Sequence, residues 1–384
     1  MKKSLVSIAL VTFALGITEF GMMGILEDVA HSLGISVVKA GHFITAYSAG
    51  VAVGAPTLVL LRKWELKKLL LLLVSVILLG NICTAASPGY ITMLISRFIS
   101  GIPHGAFFGA AAIVAERLSV EGRKAESVAI VLAGMTVANM VGVPLATFLS
   151  NTFDWRVSFV VVAACALTGL IAIKKFVPPI PPLPDTGIKG QFRFLTKPGP
   201  WLVYAGVFFG QASVYCWLSY IAPAMTQVTH FSQSAMTWIM VVVGFGMVIG
   251  NSVAGKLSDR YPASLVTAII AATLIVIMPA LYFCAPFKIP SVIFAFLAPA
   301  CLFGVGGPLQ YLIVRYAKGG EMLGGAGIQI AFNVSNAMSA SLGGVAIHQG
   351  YGYASPALVG VPFALIGAIA LFVLYKKYPI TLKP

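Results

Sequence analysis

Three ionisable side chains lie inside strongly apolar stretches of this sequence: Glu19, Arg97 and His104. Arg97 and His104 are seven residues apart, which is about two turns of an α-helix, so both lie on one helical face. An ionisable group at bilayer depth is costly unless it is paired or hydrated, and each such residue is therefore a candidate for function.

The predicted depths of the acid and the guanidinium are similar. Glu19 precedes the end of its apolar run, near Leu26, by seven residues, or ~11 Å of helix. Arg97 follows Gly89, which precedes the fourth apolar run, by eight residues, or ~12 Å. We predict that the two groups pair, directly or through water, and that protonation of Glu19 releases Arg97 and so switches the site. The alternatives are a static ion pair that fixes helix packing, and a core hydrogen bond for His104.

Neutral polar residues form a second group of candidates. Three of them, Gln329, Asn333 and Asn336, recur at i, i+4 and i+7 in the eleventh apolar run and share one helical face. Such a face inside a bundle lines a water-filled cavity, or else bonds a neighbouring helix. Amides and aromatics with almost no fixed charge suit a neutral solute. The predicted cavity residues are Asn139, Gln211, Tyr215, Trp217, Gln310, Gln329, Asn333 and Asn336.

Small residues and proline mark places where helices pack closely or bend. Gly101, Gly105 and Gly109 form a small-x-x-x-small face, which predicts close packing against another helix, with a hinge as the alternative. Gly134 and Pro144 bound a segment in the fifth run that is expected to bend and to loosen the local hydrogen bonding.

The sequence contains no motif that is typical of a metal site or of an enzyme active site. The five histidines do not cluster at metal-ligand spacing, the five cysteines include no C-x-x-C pair, and no nucleophile–base motif occurs. We therefore expect no metal site, no cofactor other than a proton gradient, and no enzymatic activity.

Composition requires lipid as the main solvent of the chain. Of 384 residues, 59% are hydrophobic and 9% are charged, and the mean hydropathy is +0.96. Soluble domains carry roughly 25% charged residues. The net charge of +14 does not indicate nucleic-acid binding, because the basic residues lie between apolar runs and form no single stripe.

Twelve apolar runs are long enough to span a bilayer, which predicts an all-α membrane protein of two six-helix bundles. We expect a first bundle over residues 1–176, a cytoplasmic linker rich in proline over 177–200, and a second bundle over 201–384. The predicted spans are 4–26, 38–61, 66–86, 90–116, 124–150, 156–176, 201–222, 233–255, 263–284, 291–314, 321–347 and 355–375.

The distribution of basic residues predicts the orientation of the spans. Of the 25 Lys and Arg residues, 21 lie on the side of both termini and three on the other side, namely Lys39, Arg156 and Lys288. By the positive-inside rule both termini are expected in the cytoplasm.

Four segments resemble the motifs of the major facilitator superfamily, in its drug:proton antiporter branch and closest to its sugar-efflux group. They are ISRFISGIPHGAFFG (95–109), the Gly134–Pro144 segment, DWRVSF (154–159) and GKLSDRY (255–261). The resemblance implies two bundles, a central cavity and alternating access, with Glu19 and Arg97 in proton coupling. It also implies that Asp259 and Arg260 latch the cytoplasmic side. The corresponding loop of the first half, Leu60–Lys68, lacks the Gly and Asp of this motif.

The predicted function is proton-coupled export of a small neutral solute, such as a sugar or glycoside, by a multi-pass protein of the bacterial inner membrane. The expected partners are the solute, protons and the lipid bilayer, with no nucleic acid and a monomeric state. Multidrug efflux of lipophilic compounds is the alternative transport function. A membrane receptor that binds without transporting is the alternative from a different class.

Overall fold

The computed structural model describes residues 2–54, 56–61, 63–119, 124–182, 192–317 and 321–378, and these form helices and connecting turns without a β-strand. In the first half the long helices are α1 (Lys2–Gly24), α2 (Val37–Gly54), α3 (Leu66–Ala85), α4 (Tyr90–Arg117), α5 (Lys124–Val137 and Val143–Thr152) and α6 (Trp155–Phe176). In the second half they are α7 (Pro198–Leu218), α8 (Ala235–Arg260), α9 (Ala263–Cys284), α10 (Lys288–Gly304 and Gly306–Tyr316), α11 (Glu321–Ala346) and α12 (Pro356–Lys377).

Eleven of these helices, within the described ranges, are long and apolar enough to cross a membrane. The exception is α2, whose hydropathy is lowered by polar side chains such as Lys39, His42 and Ser48. This helix nevertheless runs at the depth of α4. The Gly54 backbone of α2 lies against the carbonyl of Ile102, and that of Gly101 in α4 lies against the carbonyl of Tyr47. The predicted all-α membrane fold is therefore confirmed, with α2 as the twelfth crossing helix.

Two crossing helices depart from regular α geometry where the sequence places Gly and Pro. In α5 a π-helical turn, Ala138–Gly142, joins the two segments, and Pro144 stands at the start of the second. Proline has no N–H to donate, so the preceding turn cannot keep the regular bonding pattern. In α10 the break falls at Val305, between Gly304 and Gly306.

The two halves meet along two seams, where α2 packs on α11 and α5 packs on α8. The second seam is very close, because Gly244 of α8 lies directly against the carbonyl of Asn139 in the π turn of α5. Any side chain at Gly244 would overlap this carbonyl, so the glycine permits the contact.

The start of the predicted linker packs onto the first half. Val177 and Ile180 are buried with side chains of α3 and α4. The Leu66 N–H donates to the Ile180 carbonyl at 3.0 Å, and Arg117 Nη1 donates to the Pro181 carbonyl at 2.6 Å. Residues 177–182 thus belong structurally to one end of the first half. The division at 176 and 200 stays a prediction.

Successive crossing helices alternate in direction, so the loops fall at two ends of the molecule. We call the end that carries Lys2, Lys67, Lys174, Arg260 and Lys376 the basic end. The other end, which carries Lys39, Arg156 and Lys288, is the opposite end.

The glycine contact between α2 and α4 can be tested by adding one methyl group. Gly101→Ala places a Cβ against the Tyr47 carbonyl and forces the two helices apart. Overpacking of this kind costs about 1–3 kcal/mol, so the thermal unfolding midpoint of the purified protein should fall clearly below that of the parent. Gly306→Ala is the control, because a Cβ at that position meets no atom within 4 Å. Equal midpoints for the two variants would refute the close contact.

Candidate proton and solute site

Glu19 lies in the interior of the first half, with 1% of its surface exposed. Neither carboxylate oxygen accepts a hydrogen bond from the part of the chain that the structure describes. The nearest basic atom is His104 Nε2, at 3.8 Å from Oε2. A buried carboxylate without hydrogen bonds is costly in its charged form. The protonation state of Glu19 therefore depends on which charged or hydrogen-bonding groups come close to its carboxylate.

Arg97 is fully buried on α4 and is held by backbone carbonyls. Its Nη1 donates to the Thr18 carbonyl at 2.8 Å, and its Nε lies 3.4 Å from the Phe43 carbonyl. The guanidinium carbon is 4.4 Å from the centre of the Tyr47 ring, a cation–π distance. Nη2 has no hydrogen-bond partner among the described residues.

A direct Glu19–Arg97 ion pair is not present among these contacts. No nitrogen of Arg97 lies within 4.0 Å of a Glu19 oxygen. The guanidinium instead binds the carbonyl of Thr18, the residue before Glu19, and stacks on Tyr47. The two groups do lie at a common depth, as predicted. In this conformation the predicted pairing is not direct, because the Nη1 and Nε donors of the guanidinium are directed to backbone carbonyls and Nη2 lies more than 4.0 Å from both carboxylate oxygens. Pairing through water stays a prediction.

His104 is the member of the site that the structure ties most closely to Glu19. Its Nδ1 is 2.7 Å from the Tyr47 hydroxyl, and its ring packs on Phe108. Tyr47 thereby contacts both Arg97 and His104 of α4. Sequence reasoning missed Tyr47, although a hydroxyl-bearing aromatic within the second apolar run was the available signal.

Several buried polar side chains, most of them in the second half, carry atoms that bond no described protein group. Tyr215 of α7 is buried, its hydroxyl bonds no described residue, and the charge of Glu19 acts on it electrostatically. The side-chain polar atoms without a protein partner include those of Asn139, Gln211, Tyr215, Asn333 and Asn336. Asn333 also donates from Nδ2 to the Gln329 carbonyl at 3.1 Å. These residues retain hydrogen-bonding capacity that a bound solute could use.

The other predicted cavity residues differ in how deeply they are buried. Trp217 of α7 is buried in the apolar core, whereas Gln310 and Gln329 are half-buried. Gln310 lies near Gly325, which brings the second segment of α10 against α11.

An apolar cavity lies between the two halves. Only one of its eight lining residues is polar, and three are methionines, whose flexible side chains adapt to ligands of different shape. The lining residues are Phe20, Met23, Asn139, Val143, Leu218, Met240, Val243 and Met247.

The predicted packing and gate residues lie as follows. Gly101 is in contact with α2, and Gly134 lies against the Ala9 carbonyl of α1. Gly105 is buried, Gly109 is half-buried, and Pro144 follows the π turn. Arg260 is exposed at the last residue of α8, at the basic end, while the side chain of Asp259 lies outside the described part of the structure.

Hydrogen bonds between the halves occur at the opposite end, at residues that sequence reasoning missed. Thr226 Oγ1 and Gln227 Nε2 of the second half donate to Glu27, at 2.6 and 2.5 Å. Gln233 Nε2 donates to Asp28 Oδ1 at 3.0 Å, and Asn151 Nδ2 donates to the Gln233 carbonyl at 2.9 Å. We call these six residues the opposite-end latch. The signal in the sequence was the Glu-Asp pair directly after the first apolar run.

Comparison with known proteins decides the family. The sequence model of the Major Facilitator Superfamily matches residues 8–324 and 201–384, which together cover nearly the whole chain. The chain belongs to the major facilitator superfamily. It is therefore a membrane transporter, as the four sequence motifs indicated.

Individual relatives agree with this assignment. The transporter is 42% identical over 393 residues to AraJ of Escherichia coli (strain K12), whose name describes it as a candidate transporter, and the match covers 100% of both chains. The segments TEFGMMG (18–24) and AKGGE (317–321) resemble AraJ in particular. The transporter is also 32% identical over 378 residues to the inner membrane transport protein YdhP of the same strain, covering 98% of this chain and 97% of YdhP.

Among solved structures, the transporter is similar in fold to a bacterial homolog of the human lysosomal transporter Spinster. The inward-facing, unoccupied form of that protein aligns with a TM-score of 0.71 and 17% sequence identity, over 99% of this chain and 98% of the other. At this identity the similarity supports the fold alone.

The latch makes a prediction about closure of the opposite end. The double variant Glu27→Gln, Asp28→Asn removes the charge from the three hydrogen bonds that these acids accept from the second half. Hydrogen bonds to charged groups contribute about 1.5–3 kcal/mol each, so the opposite end should open more often. A membrane-impermeant maleimide applied to that side should then label Thr45→Cys about tenfold faster or more, in a background lacking the five native cysteines.

Asp154→Asn is the matched control, since this acid lies at the same end but pairs with Arg156 of its own half. Its labelling rate should equal that of the parent. Unchanged labelling in the double variant would contradict the latch.

Proposed function

We propose that this transporter is a proton-coupled antiporter that exports a small neutral solute, such as a sugar or glycoside, by alternating access. We further propose that it resides in the bacterial inner membrane with both termini in the cytoplasm, acts as a monomer and needs no cofactor beyond the proton gradient. The observation that carries the proposal is a single buried carboxylate, Glu19, that accepts no hydrogen bond from the described residues and lies beside His104 and Arg97.

The energetics of Glu19 supply the proton switch. Its negative charge is costly in a dry interior, and a proton removes that cost. When the opposite end opens, the carboxyl can take a proton from outside. When the basic end opens, the group can lose it to the cytoplasm with the help of the nearby positive charge of Arg97. Glu19, Arg97 and His104 together form the proposed coupling site.

Coupling requires that the proton and the solute affect each other, and the position of Tyr215 supports this. Tyr215 belongs to the second half and interacts electrostatically with Glu19 of the first. A change in the charge of Glu19 therefore alters the field at the proposed solute site. Because binding linkage is reciprocal, a solute bound at Tyr215 also changes the affinity of Glu19 for its proton.

The buried amide side chains favour a neutral solute. Asn139, Gln211, Asn333 and Asn336 offer amide donors and acceptors without a fixed charge. Hydroxyl groups of a sugar can pair with both kinds of amide atom. Trp217, Gln310 and Gln329 complete the proposed cavity.

Multidrug efflux is the second candidate, and the apolar cavity between the halves favours it. Seven of its eight lining residues are apolar, and Met23, Met240 and Met247 can adapt to varied shapes. In this conformation the cavity volume is about 10 Å³, roughly room for one water molecule, so a lipophilic compound would bind there, with Asn139 as its polar contact, after the two halves have moved apart.

Alternating access is supported by the position of the latch. In this conformation hydrogen bonds join the halves at the opposite end, so we propose that the solute pathway leads to the basic end. In the other conformation Asp259 and Arg260 are proposed to close the cytoplasmic side. Gly101, Gly105, Gly109, Gly134 and Pro144 are proposed to guide the movement as packing and bending points.

The proton switch is tested by Glu19→Gln in proteoliposomes. The variant keeps the size of the side chain but cannot change its charge, so an imposed proton gradient should no longer drive solute accumulation. Exchange of labelled for unlabelled solute without a gradient should continue. Glu65→Gln, which removes a surface acid paired with Lys68, should behave as the parent. Accumulation against a solute gradient by Glu19→Gln would show the coupling proposal to be wrong.

The solute class is tested by Asn139→Leu, which keeps the number and branching of the side-chain heavy atoms and removes both polar atoms. Neither polar atom of Asn139 bonds a described residue, so the change should leave the thermal unfolding midpoint nearly unaltered. Binding of a hydroxylated solute should weaken up to about tenfold, as for one lost hydrogen bond. Binding of a lipophilic cation should be unchanged or tighter. Both affinities are measured by isothermal calorimetry. Weaker binding of the lipophilic cation, with unchanged binding of the hydroxylated solute, would favour multidrug efflux.

A further inference from the structure

Tyr47 connects the two basic side chains of the proposed coupling site. Its hydroxyl is 2.7 Å from Nδ1 of His104, and the face of its ring lies 4.4 Å from the guanidinium carbon of Arg97. The ring of Tyr47 is nearly perpendicular to the imidazole, at an interplanar angle of 81°. One residue of α2 thus contacts two residues of α4 that are two turns apart.

The backbone of Tyr47 is held as firmly as its side chain. The carbonyl of Tyr47 lies against Gly101, where no larger residue would fit. Gly101 is located between Arg97 and His104 on the same face of α4, at spacings of four and three residues. Tyr47 therefore cannot shift along α4 without separating the two helices, and its hydroxyl and ring have fixed positions relative to the site.

The contact with Nδ1 determines what His104 presents to Glu19. A neutral imidazole carries its proton on one nitrogen only, and the partner of one nitrogen decides the state of the other. If the Tyr47 hydroxyl donates to Nδ1, the proton of the imidazole is on Nε2. That nitrogen lies 3.8 Å from Oε2 of Glu19 and points a donor toward the carboxylate.

The ionisable groups around His104 agree with this arrangement. Glu19 of α1 faces Nε2, Arg97 of α4 stacks on the opposite side of Tyr47, and Tyr215 of α7 interacts with Glu19 from the second half. The positive charge of Arg97 over its ring favours a Tyr47 hydroxyl that donates, because a cation near a phenol strengthens it as a donor. A carboxylate opposite Nε2 likewise favours the proton on that nitrogen.

We infer that Tyr47 is a positioning residue for proton coupling: it holds His104 in the tautomer whose Nε2–H faces Glu19 and supports the Arg97 guanidinium with its ring. This rests on the proposed function of the Glu19 site. Tyr47 itself neither gains nor loses a proton. It stabilises the charged state of Glu19 through His104, so that the carboxylate can form and be protonated again in each cycle.

The test is Tyr47→Phe, which keeps the ring on Arg97 and removes only the hydroxyl. In lipid nanodiscs with ¹⁵N-labelled histidine, the parent should give a His104 spectrum with the proton on Nε2, assigned by comparison with His104→Gln. Tyr47→Phe should shift the tautomer ratio by up to about tenfold toward the other form, the effect of one lost hydrogen bond. In proteoliposomes the protons moved per solute should fall, while gradient-free solute exchange stays near the parental rate.

Tyr204→Phe is the matched control, because it removes a tyrosine hydroxyl that binds a backbone carbonyl, that of Gly324 at 3.1 Å. It should change neither the His104 spectrum nor the proton-to-solute ratio. An unchanged His104 tautomer and an unchanged ratio in Tyr47→Phe would overturn the inference.

A failure of the role inferred for Tyr47 can be distinguished from a failure of the proposed coupling by Glu19. If Glu19→Gln abolishes proton-driven accumulation while Tyr47→Phe leaves tautomer and ratio intact, the role of Tyr47 is wrong and the coupling by Glu19 stands. If Glu19→Gln leaves proton-driven accumulation intact, the coupling site itself is wrong, and the role of Tyr47 falls with it.

Discussion

Lipid cannot hydrogen-bond a charged side chain, so a carboxylate inside a membrane-spanning bundle must be stabilised by the protein or be protonated. Glu19 meets this constraint with few contacts. His104 lies 3.8 Å away, and Arg97 is anchored on the carbonyl of the preceding residue. The close glycine contact between α2 and α4 and the buried Tyr47 serve to hold these groups in place.

The second half contributes polarity of another kind. Its buried amides and the Tyr215 hydroxyl are neutral, and several of their polar atoms bond no described residue of the protein. Charge is thus concentrated in one half and unused hydrogen-bonding capacity mainly in the other, and the two meet where Glu19 interacts with Tyr215. This division agrees with the proposed coupling, in which a proton and a neutral solute act on one interface. The apolar cavity beside Asn139 adds a surface for a less polar part of a ligand.

Sequence reasoning located most of the fold, because the hydrocarbon thickness imposes a nearly constant length on each apolar run. It also found Glu19, Arg97 and His104, because charges inside such runs are rare. It did not find that two donors of Arg97 are directed to backbone carbonyls, that His104 is the closest basic group to Glu19, or that Tyr47 contacts both Arg97 and His104. Those contacts depend on rotation of α1, α2 and α4 about their axes, and hydropathy is nearly uniform around helices buried on most sides.

The sequence by itself determined the membrane location, the twelve crossing segments and the family, since each depends on local composition or on short contiguous motifs. Tertiary structure alone decided which residues meet. Glu27 and Asp28 look like an ordinary polar turn in the sequence, yet they accept hydrogen bonds from residues about 200 positions away, where Thr226, Gln227 and Gln233 lie. Contacts between distant segments follow from how two bundles pack, and the free energy of that packing is a sum over the whole interface that no local pattern encodes.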